Sequence, residues 1–169
     1  MTDSEVAETL NRMTNAELIE QLLRCCSSTA WCDAVARRRP FADRAHLHRV
    51  ADEAFETLDQ ADWLQAFAGH PKIGDIGALR IKFGGDADWS QSEQSPVASA
   101  DEGTLVALAD GNRRYEAKFG FIFIVCATGK SAAEMLRLLL RRLPSDRETE
   151  IAAAAAEQRK ITHLRIDKL

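Results

Sequence analysis

His70 is the residue whose type and setting first suggest chemistry. It stands in Gly69-His70-Pro71-Lys72-Ile73-Gly74, where the following proline restricts its backbone and no apolar stripe claims its side chain. An imidazole titrates near neutrality and can act as a general acid or base. A histidine in a loop more often makes structural hydrogen bonds, and from this segment alone both roles stay open. Further along, Ser90-Gln91-Ser92-Glu93-Gln94-Ser95 gathers a carboxylate and amides that could orient an imidazole or a polar ligand. Ser90 with Glu93 is equally the signature of a helix start, and the two roles are compatible. Arg165 lies in series with Ile151, Ala154, Gln158 and Ile161 at spacings of three, four, three and four. A helix there turns the guanidinium toward the face of its apolar residues, while Arg159 falls off that stripe. An inward arginine needs an anion, which can be an internal carboxylate or the planar carboxylate or urea-like group of a ligand.

Other constellations carry less. Gly129-Lys130-Ser131 imitates the end of a phosphate-binding loop, but the glycine required five positions before Gly129 is Ile124, which argues against nucleotide binding. Of His46, His48 and Asp52, only His48 and Asp52 share a helical face, and two ligands fall short of a closed metal site. A solvated helix surface is the expectation there, and no metal site is assigned. Cys25, Cys26, Cys32 and Cys126 lack the paired spacing of a zinc site and read as small core residues with reduced thiols.

The elements that must hold these residues are helices. Thr14-Asn15-Ala16-Glu17 is a capping box opening a helix from about 15 to 26. Ser27-Ser28-Thr29 breaks it and starts another, carrying Trp31 and Val35 and ending at Arg39-Pro40. Asp43 caps a helix with Leu47, Val50, Ala51, Ala54, Phe55 and Leu58 on one stripe, and Asp59 to Phe67 reads as a further short helix. Between Gly69 and Pro96 the periodicity collapses into glycine, proline, Asp and Ser, with a short helix around Leu79. Loops of this length in a compact domain are more often functional than decorative. Helix resumes near Val97 and runs to a stop at Gly120. Phe121-Ile122-Phe123-Ile124-Val125 is too short for periodicity to decide and is read as extended and buried. Helices from about Ser131 to Arg142 and from Asp146 to about Asp167 follow. With one extended run among about eight helices the expected class is all-α.

A chain of 169 residues with 46% hydrophobic and 28% charged residues fits one compact domain, 1–169, without disorder or repeats. The net charge of -4 and pI near 5.6 supply no basic field, so nucleic acid is not an expected partner. No run approaches the ~20 apolar residues of a membrane helix, and the acidic start Met1-Thr2-Asp3-Ser4-Glu5 is unlike a signal or transit peptide. A soluble, cytoplasmic protein is the expectation, and Asp167-Lys168-Leu169 is not read as a targeting signal.

Taken in order, Cys25-Cys26-Ser27-Ser28-Thr29-Ala30-Trp31, Arg39-Pro40-Phe41, the Gly69 to Gly74 segment, Ser90 to Gln94, Phe119-Gly120-Phe121-Ile122-Phe123-Ile124 and the ending Ile161 to Leu169 resemble the 2-oxo-4-hydroxy-4-carboxy-5-ureidoimidazoline (OHCU) decarboxylases of urate degradation. The likeness covers nearly the whole chain. It implies an all-helical homodimer that converts a small-molecule ureidoimidazoline carboxylate to (S)-allantoin and carbon dioxide with no metal or organic cofactor. It also implies catalytic roles for His70, Glu93 and Arg165. Pro71, Ser90 and Gln94 would contact the substrate, and the segment Phe121, Ile122, Phe123 and Ile124 would line the pocket and offer main-chain groups to the ligand.

Overall fold

The computed structural model describes residues 2–72 and 102–169 of the chain. Among them it contains eight α-helices and no strand, which gives the expected all-α class. The helices are α1 (Asp3–Arg12), α2 (Asn15–Cys25), α3 (Thr29–Ala36), α4 (Arg44–Phe55), α5 (Gln60–Ala68), α6 (Glu102–Phe119), α7 (Ala132–Arg142) and α8 (Arg147–Ile166).

Their starts are written in the sequence. A helix leaves its first amides without partners, and here polar side chains take them. At α2 the Thr14 hydroxyl accepts from the Glu17 amide at 3.3 Å while the Glu17 carboxylate accepts from the Thr14 amide at 2.8 Å. The same reciprocal pair recurs as Thr2 with Glu5, Asp59 with Asp62, and Ser131 with Glu134. Ser28, Asp43 and Asp146 cap α3, α4 and α8 singly. Helix α1 was not anticipated, although Thr2 and Glu5 followed by Val6, Ala7 and Leu10 carry the same signal that revealed α2. The expected short helix around Leu79 and the helix start near Val97 lie outside the described residues, and α6 is described from Glu102 onward.

The chain gathers into two compact units, residues 1–69 with 158–169 and residues 70–157. In the first, α3 packs against α2, α4 and α5, and α1 packs against α4. Leu18, Leu22, Trp31, Val35, Leu47, Phe55 and Phe67 are fully buried there. Trp31, too large to bury with its indole N–H unmet, donates that hydrogen to the Ala51 carbonyl at 3.1 Å. Its ring stacks on Phe55 at 5.4 Å, and Phe55 stacks on Trp63 at 5.2 Å.

In the second unit α6 lies against α7. Their approach requires Gly111, because a Cβ there would stand 2.5 Å from Cδ2 of the fully buried Leu139. Gly120, at φ 79°, ends α6 in the left-handed conformation that glycine adopts without penalty. The chain then runs through Phe121 to Ala127 outside any helix or ladder, with Phe121, Phe123, Ile124, Cys126 and Ala127 buried. The run is mostly buried, as expected. Among the described residues no helix is long and apolar enough to cross a membrane.

The capping boxes make the helix starts sensitive to acid. Hydrogen bonds from the cap residue, first to its backbone amide and then to its side chain, hold the carboxyls of Glu5, Glu17 and Glu134 below their ordinary 4.5. A carboxyl lowered in the folded state contributes stability above its ordinary value, and that contribution is lost as pH falls through the lowered one. Thermal melts followed by circular dichroism from pH 6 to pH 3 should therefore show Tm falling below about pH 4.5. The fall should be smaller in Glu17→Gln, which removes one titrating cap.

Candidate active site

Helix α5 ends at Gly69, whose amide donates to the Ala66 carbonyl at 3.3 Å. A Cβ on Gly69 would stand 1.9 Å from Oγ and 2.3 Å from Cβ of Ser27. The glycine of the Gly-His-Pro segment is thus required by the chain segment between α2 and α3, which presses directly on it. His70 follows and is half-buried, as is Pro71. Lys72 then reaches Glu116 of α6 with an ion pair at 2.7 Å, which is exposed and so contributes little to stability.

Arg165 sits near the end of α8 in the first unit, 8% exposed. Of the stripe read from the sequence, Ala154, Gln158, Ile161 and Arg165 are buried, with Thr162 and Ile166 beside them, and Ile151 is half-buried. An Nη1 hydrogen of Arg165 meets the Cys25 carbonyl at 3.4 Å, the same oxygen that the Thr162 hydroxyl reaches at 3.4 Å. These bonds satisfy the C-terminal end of α2, where carbonyls lack helical partners and cations are favoured. Arg159, the other arginine nearby, is occupied elsewhere. Its guanidinium bonds Glu56 at 2.6 Å and lies 5.2 Å from the Phe55 ring centroid and 5.8 Å from that of Trp63.

The run Phe121 to Ile124 belongs to the second unit, where Phe121 and Phe123 flank Tyr115 at ring distances of 5.7 and 5.3 Å. Ile122 is half-buried. The Ile124 carbonyl accepts from Arg142 Nη1 at 2.7 Å, and the Cys126 amide donates to the Glu157 carboxylate at 2.7 Å. Arg142 also bonds Glu150 at 2.8 Å, and Glu150 accepts from the Tyr115 hydroxyl at 2.5 Å. Sequence reasoning missed this cluster. The signal was present, since four residues before Ala154 on the buried stripe of α8 stands Glu150 rather than an apolar residue.

His48, expected on a solvated helix surface, does more than that. His48 of α4 and His163 of α8 face each other with their Nδ1 atoms 2.6 Å apart, one donating to the other. Their Nε2 atoms reach Asp167 and Asp52, both at 2.8 Å. A groove of about 400 Å³ on α7, lined by Lys130, Glu134, Arg137, Leu138 and Arg141, shares no residue with the candidate set. Among the described residues no group of three or more His, Cys, Asp or Glu side chains is arranged to hold a metal ion.

His70, Pro71 and residues 121–124 thus fall in one unit and Arg165 in the other. Ser90, Glu93 and Gln94, with the helix start assigned to Ser90, lie outside the described residues.

The model of the OHCU decarboxylase family matches residues 11–167. The chain is 38% identical over 146 residues to the uric acid degradation bifunctional protein TTL of Arabidopsis thaliana, covering 86% of this chain and 45% of that protein. It spans less than half the length of that relative, and 31% of a Bacillus subtilis bifunctional protein, PucL. With the OHCU decarboxylase of Xenopus laevis it shares 29% identity over 167 residues, covering 94% of this chain and 90% of that one. A crystal structure of OHCU decarboxylase in the presence of (S)-allantoin superposes with a TM-score of 0.73 at 34% identity, covering 86% of this chain and 94% of that chain.

Two outcomes follow from the packing around these residues. Gly69→Ala forces Ser27 and its backbone to move, an overpacking that typically costs about 1–3 kcal/mol, so its Tm should fall by several degrees in a calorimetric scan. Burial pushes the Cys25 thiol up to about 12 and the Cys26 thiol up to about 11, with Arg165 acting in the opposite sense. Both should resist a thiol-specific reagent at pH 8 in the native protein and react on addition of denaturant.

Proposed function

The chain belongs to the OHCU decarboxylase family, and from that membership we propose that it converts 2-oxo-4-hydroxy-4-carboxy-5-ureidoimidazoline to (S)-allantoin and carbon dioxide. The observation that carries this reading is the family match over residues 11–167, which spans His70 through Arg165. It is supported by the Xenopus laevis relative, of which the chain covers 90%, whose name states this decarboxylation. The reading takes residues 1–169 as one OHCU decarboxylase domain, acting in the cytoplasm as a homodimer on a small molecule, without metal or organic cofactor.

The chemistry sets what the side chains must do. The bond between the ring carbon and its carboxylate breaks, carbon dioxide leaves, and the electron pair stays on the ring carbon until a proton takes it. Catalysis therefore requires stabilising that charge and delivering the proton to one face. His70 handles the proton, either by activating the substrate hydroxyl or by protonating the carbanion. Glu93 orients the imidazole, and Ser90, Gln94 and Pro71 contact the substrate. Arg165, with the main chain of Phe121, Ile122, Phe123 and Ile124, holds the ureido and carbonyl groups and so decides which face is protonated. The choice of Arg165 over Arg159 is supported by the bonds of Arg159 to Glu56 and the neighbouring rings. The planar fork of a guanidinium turned inward suits a planar, anionic or urea-like ligand.

The substrate is unstable and is generated in place from urate with urate oxidase and hydroxyisourate hydrolase, while circular dichroism follows the product. The wild type should give one allantoin enantiomer rapidly. His70→Ala should lose about 100- to 10,000-fold in turnover, the range of positioned acid or base catalysis. A variant retaining more than half of wild-type turnover would remove His70 from the mechanism, and racemic product at the spontaneous rate from the wild type would overturn the activity itself.

A further inference from the structure

A segment outside any helix or sheet has no regular hydrogen-bond pattern to fix its main chain. In residues 121–127 that task falls to charged side chains, among them Lys130, which bonds the Cys126 carbonyl at 2.9 Å. The carbonyl of Ile124 is taken by Arg142 at 2.7 Å and the amide of Cys126 by Glu157 at 2.7 Å. Bonds in which one partner is ionised are shorter and about twice as strong as neutral ones, so the two pins grip the backbone two residues apart and from opposite polarities.

Arg142 does more than close a buried ion pair. Its side chain is 15% exposed and that of Glu150 is 1% exposed. Its fork is divided three ways, with Nε on Glu150 at 2.8 Å, Nη1 on the Ile124 carbonyl at 2.7 Å and Nη2 on the Tyr115 hydroxyl at 3.3 Å. The guanidinium also lies 4.7 Å from the ring centroid of Phe123. One planar group therefore fixes both the carbonyl of Ile124 and the ring one residue before it, while Glu150 and Tyr115 fix the plane. Neutralising Glu150 would need only the Nε contact. The Nη1 bond to a backbone oxygen and the stacking on Phe123 act on the segment itself.

We propose that Arg142, seconded by Glu157, is a positioning residue for the decarboxylation, setting the main chain of residues 121–124 that holds the substrate and thereby the face on which it is protonated. This rests on the functional reading above. Arg142 touches no reacting atom; it acts through the backbone of Ile124 and the ring of Phe123.

Arg142→Lys separates the two roles of the side chain. A single ammonium retains a positive charge for Glu150, but it cannot bond Glu150 and the Ile124 carbonyl in the fixed geometry of the fork. Glu157→Ala releases the other pin from a half-buried site and supplies the test should Arg142→Lys fail to fold. Each variant is to be assayed for kcat, KM and the enantiomeric ratio of allantoin, after subtracting the spontaneous racemic reaction, with a thermal melt as control. The expected result is a folded variant whose kcat falls about 10- to 100-fold, the scale of loss from a small misplacement of bound groups. KM should change much less, and the ratio of enantiomers should drop. A purely structural role would lower the amount of active enzyme without changing the handedness of what it makes. Folded variants with wild-type kcat and a single enantiomer would overturn the inference while leaving the decarboxylase reading intact. Racemic product from the wild type would overturn that reading, and this inference with it.

Discussion

A carboxylate almost wholly out of water dictates the construction of the second unit. Glu150 is 1% exposed, and leaving an ion of this kind unpaired costs several kcal/mol. The sequence answers with the guanidinium of Arg142 and the hydroxyl of Tyr115, both on the same carboxylate oxygen. Burial pushes the Tyr115 phenol well above its ordinary value and the adjacent carboxylate acts in the same sense, so the hydroxyl stays protonated as a donor. To deliver these groups, the last turns of α6, the end of α7 and the start of α8 must converge. The aromatic rings complete the arrangement, with Tyr115 lying 4.5 Å from Phe119 and edge-on to Phe121 and Phe123. Edge-on contacts of this kind are favoured by the ring quadrupoles and fix orientation as well as distance.

The first unit also buries a charged side chain. Arg165 is buried among Gln158, Ile161, Thr162 and Ile166 on α8, and the end of α2 offers it the Cys25 carbonyl. Arg142 divides its fork between an internal carboxylate and backbone.

Much of the fold was legible because helices announce their ends. Thr14, Asp43, Asp59 and Ser131 are local signals, each readable within four residues, and the inward stripe of α8 follows from period alone. Helix α1 went unread although its cap, Thr2, is of the same kind. What sequence could not supply were pairings between distant residues. Arg142 with the Ile124 carbonyl, Glu157 with the Cys126 amide and His48 with His163 join positions with no shared periodicity. The histidines show the limit most plainly. On one helix His48 and Asp52 are two polar residues facing water; His163 on a second helix, with Asp167 just past its end, turns them into a four-residue chain of hydrogen bonds. The reason for Gly69 was equally hidden, since it lies in the position of Ser27.

The first unit is discontinuous along the chain, residues 1–69 closing only with residues 158–169, and this has a consequence for its birth on the ribosome. The bond between Arg165 and the Cys25 carbonyl spans 140 positions. When α1 to α5 emerge, the helical turns that cover the end of α2 do not yet exist, and at ~5–20 residues per second they follow on the order of ten seconds later. Residues 70–157 are contiguous and can complete their own contacts in that interval. Translation order thus makes the half that carries Arg165 the last to mature, with its buried cysteines and the carbonyl of Cys25 waiting on residues not yet synthesised.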